Sequence, residues 1–480
     1  MARYKEDHRE TFQLIAGSLD TMLPQASVAR AIRAGLEQLD FDEHDKRYVN
    51  DETGRLALNP RGLTAVWMLA MLRGIDSSLR LAQLCGQDIE FRWLLGDAGA
   101  EKSTLCDFRR NHLDALVSLS TQVLSALGRN GLLPGENMGV DGTVVRAAAS
   151  RHSVRRRKGL EREKNRLEEL LRDRLSGVDG GPDSEETKAL EKRRRRLTRA
   201  LEDMSVRGLD KPEDRLTVTE PDAPVMRQKD GSFAPGINAQ AVTDLDSGAI
   251  IHAQVVDGGG DGGQFEPQIE QARKVLKDLG LGPRGQRRQG AAADGAYHDT
   301  LQLDALEKNG VDCHVPDNRN AGRSAPGVAP ECAAQRFTHD GQTDTMTCPA
   351  GQPMRPRKLN ANATAKTYQA PAKACQSCPD KPKCCPNSKE GRSVNRTLYP
   401  ELLKTVADRL ETDGGRRMMR ARSVVCEGVF ARMSSLLHWK RCRMWDRAGA
   451  RAELLWRQLT HNLMLLTGTW KPLVLPDGKQ

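Results

Sequence analysis

A chain of 480 residues has room for two to four domains and a sizeable core. Hydrophobic residues at 38%, charged residues at 29% and aromatics at only 4% describe a soluble, globular balance with a lean core, which excludes a collagenous or fully disordered chain. Lys and Arg number 74 against 64 Asp and Glu, and the net charge of +10 favours a polyanionic partner without naming one.

The longest apolar run, around Ala65–Leu72, is far short of a membrane span, and the opening MARYKEDHRE lacks the apolar stretch of a secretory signal. The expectation is a cytoplasmic protein with no membrane partner, whose eleven cysteines are thiols or metal ligands. Residues 1–136 are predicted to be mostly helical, since apolar residues recur at helical spacing in AVWMLAMLRG and LDALVSLSTQVLSALGRNGLL, with Gly131 as a stop. Between these runs, STLCDFRRNH offers Ser103 as an N-cap and places Arg109 and Arg110 in the following helix. An arginine pair on a short helix suits phosphate contact, and it equally suits a solvated face.

MGVDGTVVRAAA, from Met138, is short, β-branched and predicted as a buried strand. Residues 151–213 form a basic helical insertion: leucines at 160, 167 and 171, and again at 190, 197 and 201, lie on either side of SGVDGGPDS, which gives a helical hairpin. Its runs contain Arg155, Arg156, Arg157, Arg194 and Arg195, candidates to grip a phosphate backbone; interleaved acidic residues leave a solvated coiled-coil face as the alternative. GINAQAVTDLDSGAIIHAQVVDG reads as two strands, FEPQIEQARKVLKDLG as an amphipathic helix, QGAAADGAYHD as strand and turn, LQLDALEKNG as helix and VDCHVP as strand. Strands alternating with helices give an α/β core over 137–317 and 396–470. Residues 318–395 form a Cys-rich insertion with little regular structure, and 471–480 a tail.

Three carboxylates stand in suggestive settings. Asp141 lies inside an apolar strand, Asp294 follows three alanines at a strand end, and Glu427 lies on a helix whose apolar stripe is Val425, Val429, Met433 and Leu436. Each alone fits a turn, cap or solvated residue; together they form a hard-oxygen set suited to Mg²⁺ or Mn²⁺, ions that engage phosphate oxygens. No serine–histidine or cysteine–histidine arrangement is comparably placed, and GGGDGG at 258–263 lacks the strand-to-helix context of a phosphate loop. The second constellation is Cys348, Cys375, Cys378 and Cys384, with Cys385 spare, a thiolate set for structural Zn²⁺ that would order the insertion; free surface thiols are the alternative.

These residues resemble bacterial insertion-sequence transposases of the DDE type, close to the insertion sequence 1182 family. RGLTAVWMLAMLRGIDSSLRLAQLCGQDIEFRWLLG with STLCDFRR resembles the family's helical N-terminal domain. VDGTVVRAAAS and ADGAYHD resemble the segments that bear the two aspartates, CPAGQ with CQSCPDKPKC the cysteine insertion, and VVCEGVFARM with LTHNLMLL the closing helices. The resemblance implies an RNase H-like catalytic core, with a mixed sheet flanked by helices, and a metal-binding triad of Asp141, Asp294 and Glu427. It further implies cleavage and strand transfer at terminal inverted repeats, double-stranded element and target DNA as partners, a homodimer pairing two ends, and nucleoid association. The alternative is a DNA-binding protein of transposase descent that no longer cuts. Relatives often carry a lysine seven residues after the glutamate, where this chain has Ser434; Arg432 or Lys440 are the candidate substitutes. Tyr297 is placed near the site, and Trp439 is either a stacking platform for a base or part of the core.

Overall fold

The computed structural model describes residues 17–46, 57–175, 184–228, 230–317 and 328–474. The opening decapeptide, most of the SGVDGGPDS turn and the end of the tail lie outside them. In chain order the strands that organise the molecule are β1 (Asn137–Arg146), β2 (Val154–Arg156), β3 (Arg215–Thr217), β4 (Val225–Arg227), β5 (Phe233–Asp244), β6 (Ile250–Val256), β7 (Gln289–Ala292) and β8 (Val311–His314). Five of them join in the order β6–β5–β1–β7–β8: β6, β5 and β1 are antiparallel, whereas β1, β7 and β8 run parallel, and β4 pairs with the start of β5. This mixed sheet with flanking helices fits an RNase H-like core.

Strand alternation divides the core between two faces. Met138 and Val140 of β1 point into the main cluster with Val242, Ala291 and the helices Pro60–Leu72, Leu113–Arg129, Phe265–Asp278 and Asp446–Leu466. The opposite face, with Val145, Ala239 and Ala241, packs on Val429, Phe430 and Met433 of the helix Asp413–Ser435. Asp141 belongs to that second face. Helix Pro60–Leu72 is buried along nearly its whole length and starts conventionally, with Asn59 accepting from the Arg61 amide and Pro60 in the first turn. Among the described residues no helix is long and apolar enough to cross a membrane.

Several sequence expectations change. Ser103 lies within the helix Lys102–Asn111, and Glu101 holds its N-cap position. Leu436 is 45% exposed because the helix ends at Ser435 and the chain turns, so that Leu437 becomes buried instead. The basic insertion is a hairpin of helices Arg157–Leu175 and Glu185–Val206 closed around Leu160, Leu167, Leu197 and Met204, with β2 and β3 paired at its base. The Cys-rich insertion departs furthest from expectation. It contains a five-stranded antiparallel sheet of β9 (Thr338–Asp340), β10 (Thr345–Thr347), β11 (Pro353–Leu359), β12 (Ala365–Gln369) and β13 (Ser393–Thr397), joined in that order. Its small core is Phe337, Met346, Met354, Tyr368 and Val394. Most of its strands contribute a single apolar residue to that core, too sparse a pattern to read as alternation.

Candidate active site

The β1–β7 register builds the site. Gly139 of β1 lies opposite Ala292 of β7 in parallel pairing, so two residues further along each chain Asp141 and Asp294 emerge side by side. Asp294 also serves as a cap, accepting from the Ala296 amide at 2.8 Å as the chain turns after β7. Helix Asp413–Ser435 can come close because position 139 is glycine: a Cβ there would lie 2.5 Å from Cys426 Sγ. That approach brings Arg422 onto the aspartates. Its Nη2 donates to Asp141 Oδ1 at 3.0 Å and to Asp294 Oδ2 at 3.4 Å.

Asp141 also accepts from the Gly142 amide at 2.9 Å. Burial pushes its carboxyl up to about 6, against the Arg422 charge and that amide bond, while Asp294 and Asp261 push in the same direction as burial. Asp261 is thus a third carboxylate acting on the site, and it belongs to the GGGDGG loop that had no assigned purpose. Gln240 Nε2 holds it at 2.8 Å and also donates to Asn238 Oδ1 at 2.9 Å, and the buried Tyr297 hydroxyl donates to Gln240 Oε1 at 2.5 Å. Gly142 is required beneath this network, since a Cβ there would lie 2.3 Å from Gln240 Nε2 and 2.7 Å from Asp261 Oδ1. Tyr297 is therefore near the site, as expected, with its ring fully enclosed and its hydroxyl pushed upward by burial and by the three carboxylates.

Glu427 does not join the aspartates in this arrangement. It is exposed and accepts from Ser423 Oγ on its own helix at 2.9 Å. Five residues along a helix turn the side chain by about 140°, so the face that presents Arg422 to Asp141 presents Glu427 elsewhere. Among the described residues no group of three or more His, Cys, Asp or Glu is spaced to hold a metal ion. The donor chemistry of Asp141 and Asp294 nevertheless fits a hard divalent cation: two carboxylates already share one positive group, with Asp261 adding further negative charge.

Of the arginines singled out for DNA, Arg110, Arg155, Arg156 and Arg195 are exposed, and Arg194 is half-buried. Arg156 pairs with Glu213 and Arg195 with Glu191. Arg109 turns inward, its guanidinium 4.5 Å from the Trp67 ring centroid and within reach of the Asp76 carbonyl. Arg157 is spent on Glu161, Ser205 and the Leu209 carbonyl. Arg432 stacks on Trp470 and donates to the Lys471 carbonyl at 2.7 Å. These three are corrected to structural roles, because cation–π stacking and backbone acceptors retain a guanidinium that sequence spacing presents as free. Arg109→Ala should cost about 1–2 kcal/mol in urea unfolding, whereas Arg110→Ala should stay within about 0.5 kcal/mol of the parent. Trp439 is core, 2% exposed, with Nε1 donating to Glu453 at 3.1 Å. Lys440 is exposed and lines a cleft of about 280 Å³ with Arg146, Asp230 and Ser434.

In the insertion, none of the cysteines is paired in a disulfide. Cys332, Cys348, Cys375, Cys378, Cys384 and Cys385 line one cavity of about 30 Å³, large enough for an ion or a water. Two amides aim at sulfur, from Gln352 to Cys348 Sγ and from Arg392 to Cys375 Sγ, each at 3.3 Å. Burial pushes the Cys384 thiol up to about 12 and raises Cys385 as well. Cys332 was invisible as a member because it lies outside the closely spaced run.

Residues 347–467 match the family described as Transposase DDE domain, and residues 17–111 match Transposase domain (DUF772). The first match contains Glu427 and most of the cysteine cluster; Asp141 and Asp294 lie outside it. Together the matches support a transposase of the DDE type. None of the curated proteins matches the chain. Among solved structures, the cryo-EM structure of a piggyBac transposase synaptic complex with hairpin DNA is similar at 10% identity and a TM-score of 0.30, over 93% of this chain and 73% of that one. A likeness this loose transfers neither residue roles nor substrate.

Proposed function

We propose that the chain is an insertion-sequence transposase that cleaves DNA at terminal inverted repeats and transfers the freed strand to target DNA, close to the insertion sequence 1182 family. The observation that carries this reading is the pairing of Asp141 and Asp294 by parallel register over a helix that bears Glu427. Asp141 and Asp294 would hold Mg²⁺ or Mn²⁺, with Glu427 completing the set once that helix or its side chain re-aims. The chemistry such an ion supplies is activation of an attacking oxygen and neutralisation of charge at the phosphate. The chain's own contribution is positional. The Gly142 amide holds Asp141, and Tyr297 and Gln240 fix Asp261 nearby, while Lys440, the exposed Arg110, Arg155, Arg156 and Arg195 and the half-buried Arg194 would face the DNA backbone. Pairing two element ends calls for two copies of the chain.

The test is incubation of the purified protein with Mg²⁺ and a plasmid carrying candidate terminal repeats, read for breaks and for joined products. A DNA-binding protein without cleavage is the second reading, favoured by the outward Glu427 and by Ser434. It expects retention of repeat DNA with no break in Mg²⁺ or Mn²⁺, and Ser434→Lys then separates a lost end contact from a lost metal site. Structural Zn²⁺ at Cys348, Cys375, Cys378 and Cys384 is proposed on the shared cavity and the two amide-to-sulfur bonds; the four sulfurs are not spaced to hold an ion as they stand, so binding would draw them together. Metal analysis of freshly purified protein should find about one zinc per chain, and a paired Cys375→Ser, Cys378→Ser variant should lose it. A metal-free chain would remove the assignment.

A further inference from the structure

Among the described residues Arg422 is the one buried cation at the carboxylate pair, and catalysis by the carboxylates leaves it without a task. It falls on the apolar stripe of its helix, three residues before Val425 and seven before Val429, and it is 7% exposed. A single nitrogen, Nη2, is shared between Asp141 and Asp294. Its Nε is buried with no hydrogen-bond partner, a donor that its present position does not satisfy.

We propose that Arg422 is a resident counter-ion of the carboxylate pair, which a divalent cation must displace before the site can work; this rests on the metal reading above. Two oxygens that share Nη2 cannot at the same time share a metal ion, because both cations occupy the space between them and repel each other. Without a cation there, Asp141 is a half-buried carboxylate beside two others, so the guanidinium stabilises the metal-free protein. Asp294 is the open side of the pair, its side chain 44% exposed against 17% for Asp141, and this is the side from which an ion enters. A displaced guanidinium needs a new partner. A DNA phosphate supplies one in bidentate geometry, which a lysine could not match. Metal loading is then coupled to DNA: a phosphate that draws Arg422 away opens the site, and the protein alone resists loading. Arg422 is accordingly a positioning residue.

The experiment is Mn²⁺ titration by calorimetry on the full chain, comparing the parent, Arg422→Met and Arg422→Lys, each with and without Asp294→Asn, with melting curves as a folding control. Arg422→Met should bind Mn²⁺ on the order of tenfold more tightly than the parent, and adding Asp294→Asn should abolish that gain. Double-stranded DNA should tighten Mn²⁺ binding by the parent and leave Arg422→Met unchanged. Equal or weaker Mn²⁺ binding by a folded Arg422→Met protein overturns the proposal while leaving the metal reading intact. Tight binding that survives Asp294→Asn overturns the metal reading itself. Should Arg422→Met fail to fold, Arg422→Lys carries the comparison: its side chain is one atom shorter, so its ammonium holds the two oxygens less closely than Nη2 does, a smaller gain is expected, and no gain overturns the proposal.

Discussion

Asp141→Asn and Asp294→Asn should each abolish DNA cleavage while the protein still binds DNA and stays folded. Asn is isosteric and keeps an oxygen for the Gly142 amide or the Ala296 amide, so the local turns survive. What is lost is one of two negative charges facing a shared position. Removing one preorganised electrostatic partner of this kind commonly costs two to three orders of magnitude; a loss of roughly a thousandfold, about 4 kcal/mol of transition-state stabilisation, is expected for either variant. Gel-based cleavage rates, with filter binding and a melting curve on the same preparations, check it. Glu427→Gln separates the readings: a comparable loss means that Glu427 turns inward when DNA and metal are bound, and unchanged cleavage would move the third donor to Asp261.

The largest stability effect is expected at Glu453. This residue is 1% exposed, and its carboxylate accepts from the Trp439 indole at 3.1 Å and from the Arg443 and Met444 amides at 2.6 Å each. The buried Arg457 guanidinium lies 3.6 Å away and stacks over Trp439. Glu453→Ala would leave two backbone donors and an indole N–H without their acceptor and the buried Arg457 with only the residue-453 carbonyl and the more distant Asp76, a loss of about 3–5 kcal/mol. Glu453→Gln should lose less, since one oxygen still serves the amides while its NH₂ opposes the indole. The segment held by this anchor carries Lys440, and Arg441 ties it to the Ala147, Ala148 and Ala149 carbonyls just beyond β1. Glu453→Ala should therefore weaken DNA retention beyond what Lys440→Ala does alone. Urea unfolding and DNA titration of the three variants give both readouts.

What the sequence displayed and what it concealed follow from the range of the interactions involved. The apolar β1, the small-residue β7 and the helix of Glu427 were legible because burial leaves local periodicity and composition. Asp141 and Asp294 were grouped by residue type and by resemblance, but the parallel register that sets them side by side was not legible, since it joins segments about 150 residues apart. Arg422 could have been found by extending the apolar stripe back from Val429 and Val425, where a charge on a buried face marks an internal ion pair; among Arg416, Arg417 and Arg420 it drew no notice. Arg109 misled for a related reason: the indole that captures it comes from the helix Pro60–Leu72, remote in sequence. The sheet of the cysteine insertion escaped notice because its core is assembled from nearly single residues on separate strands.

We propose Asp141 and Asp294 as the metal-dependent centre of a DNA strand-transfer enzyme. The most direct measurement combines purified protein, Mg²⁺ and a plasmid bearing paired terminal repeats with a second plasmid as target, using Asp294→Asn as control. Breaks at the repeat ends followed by covalent joining to the target are expected, both absent in the control and in excess chelator. Breaks of undiminished yield from the Asp294→Asn protein, or joined products that persist in chelator, would contradict it.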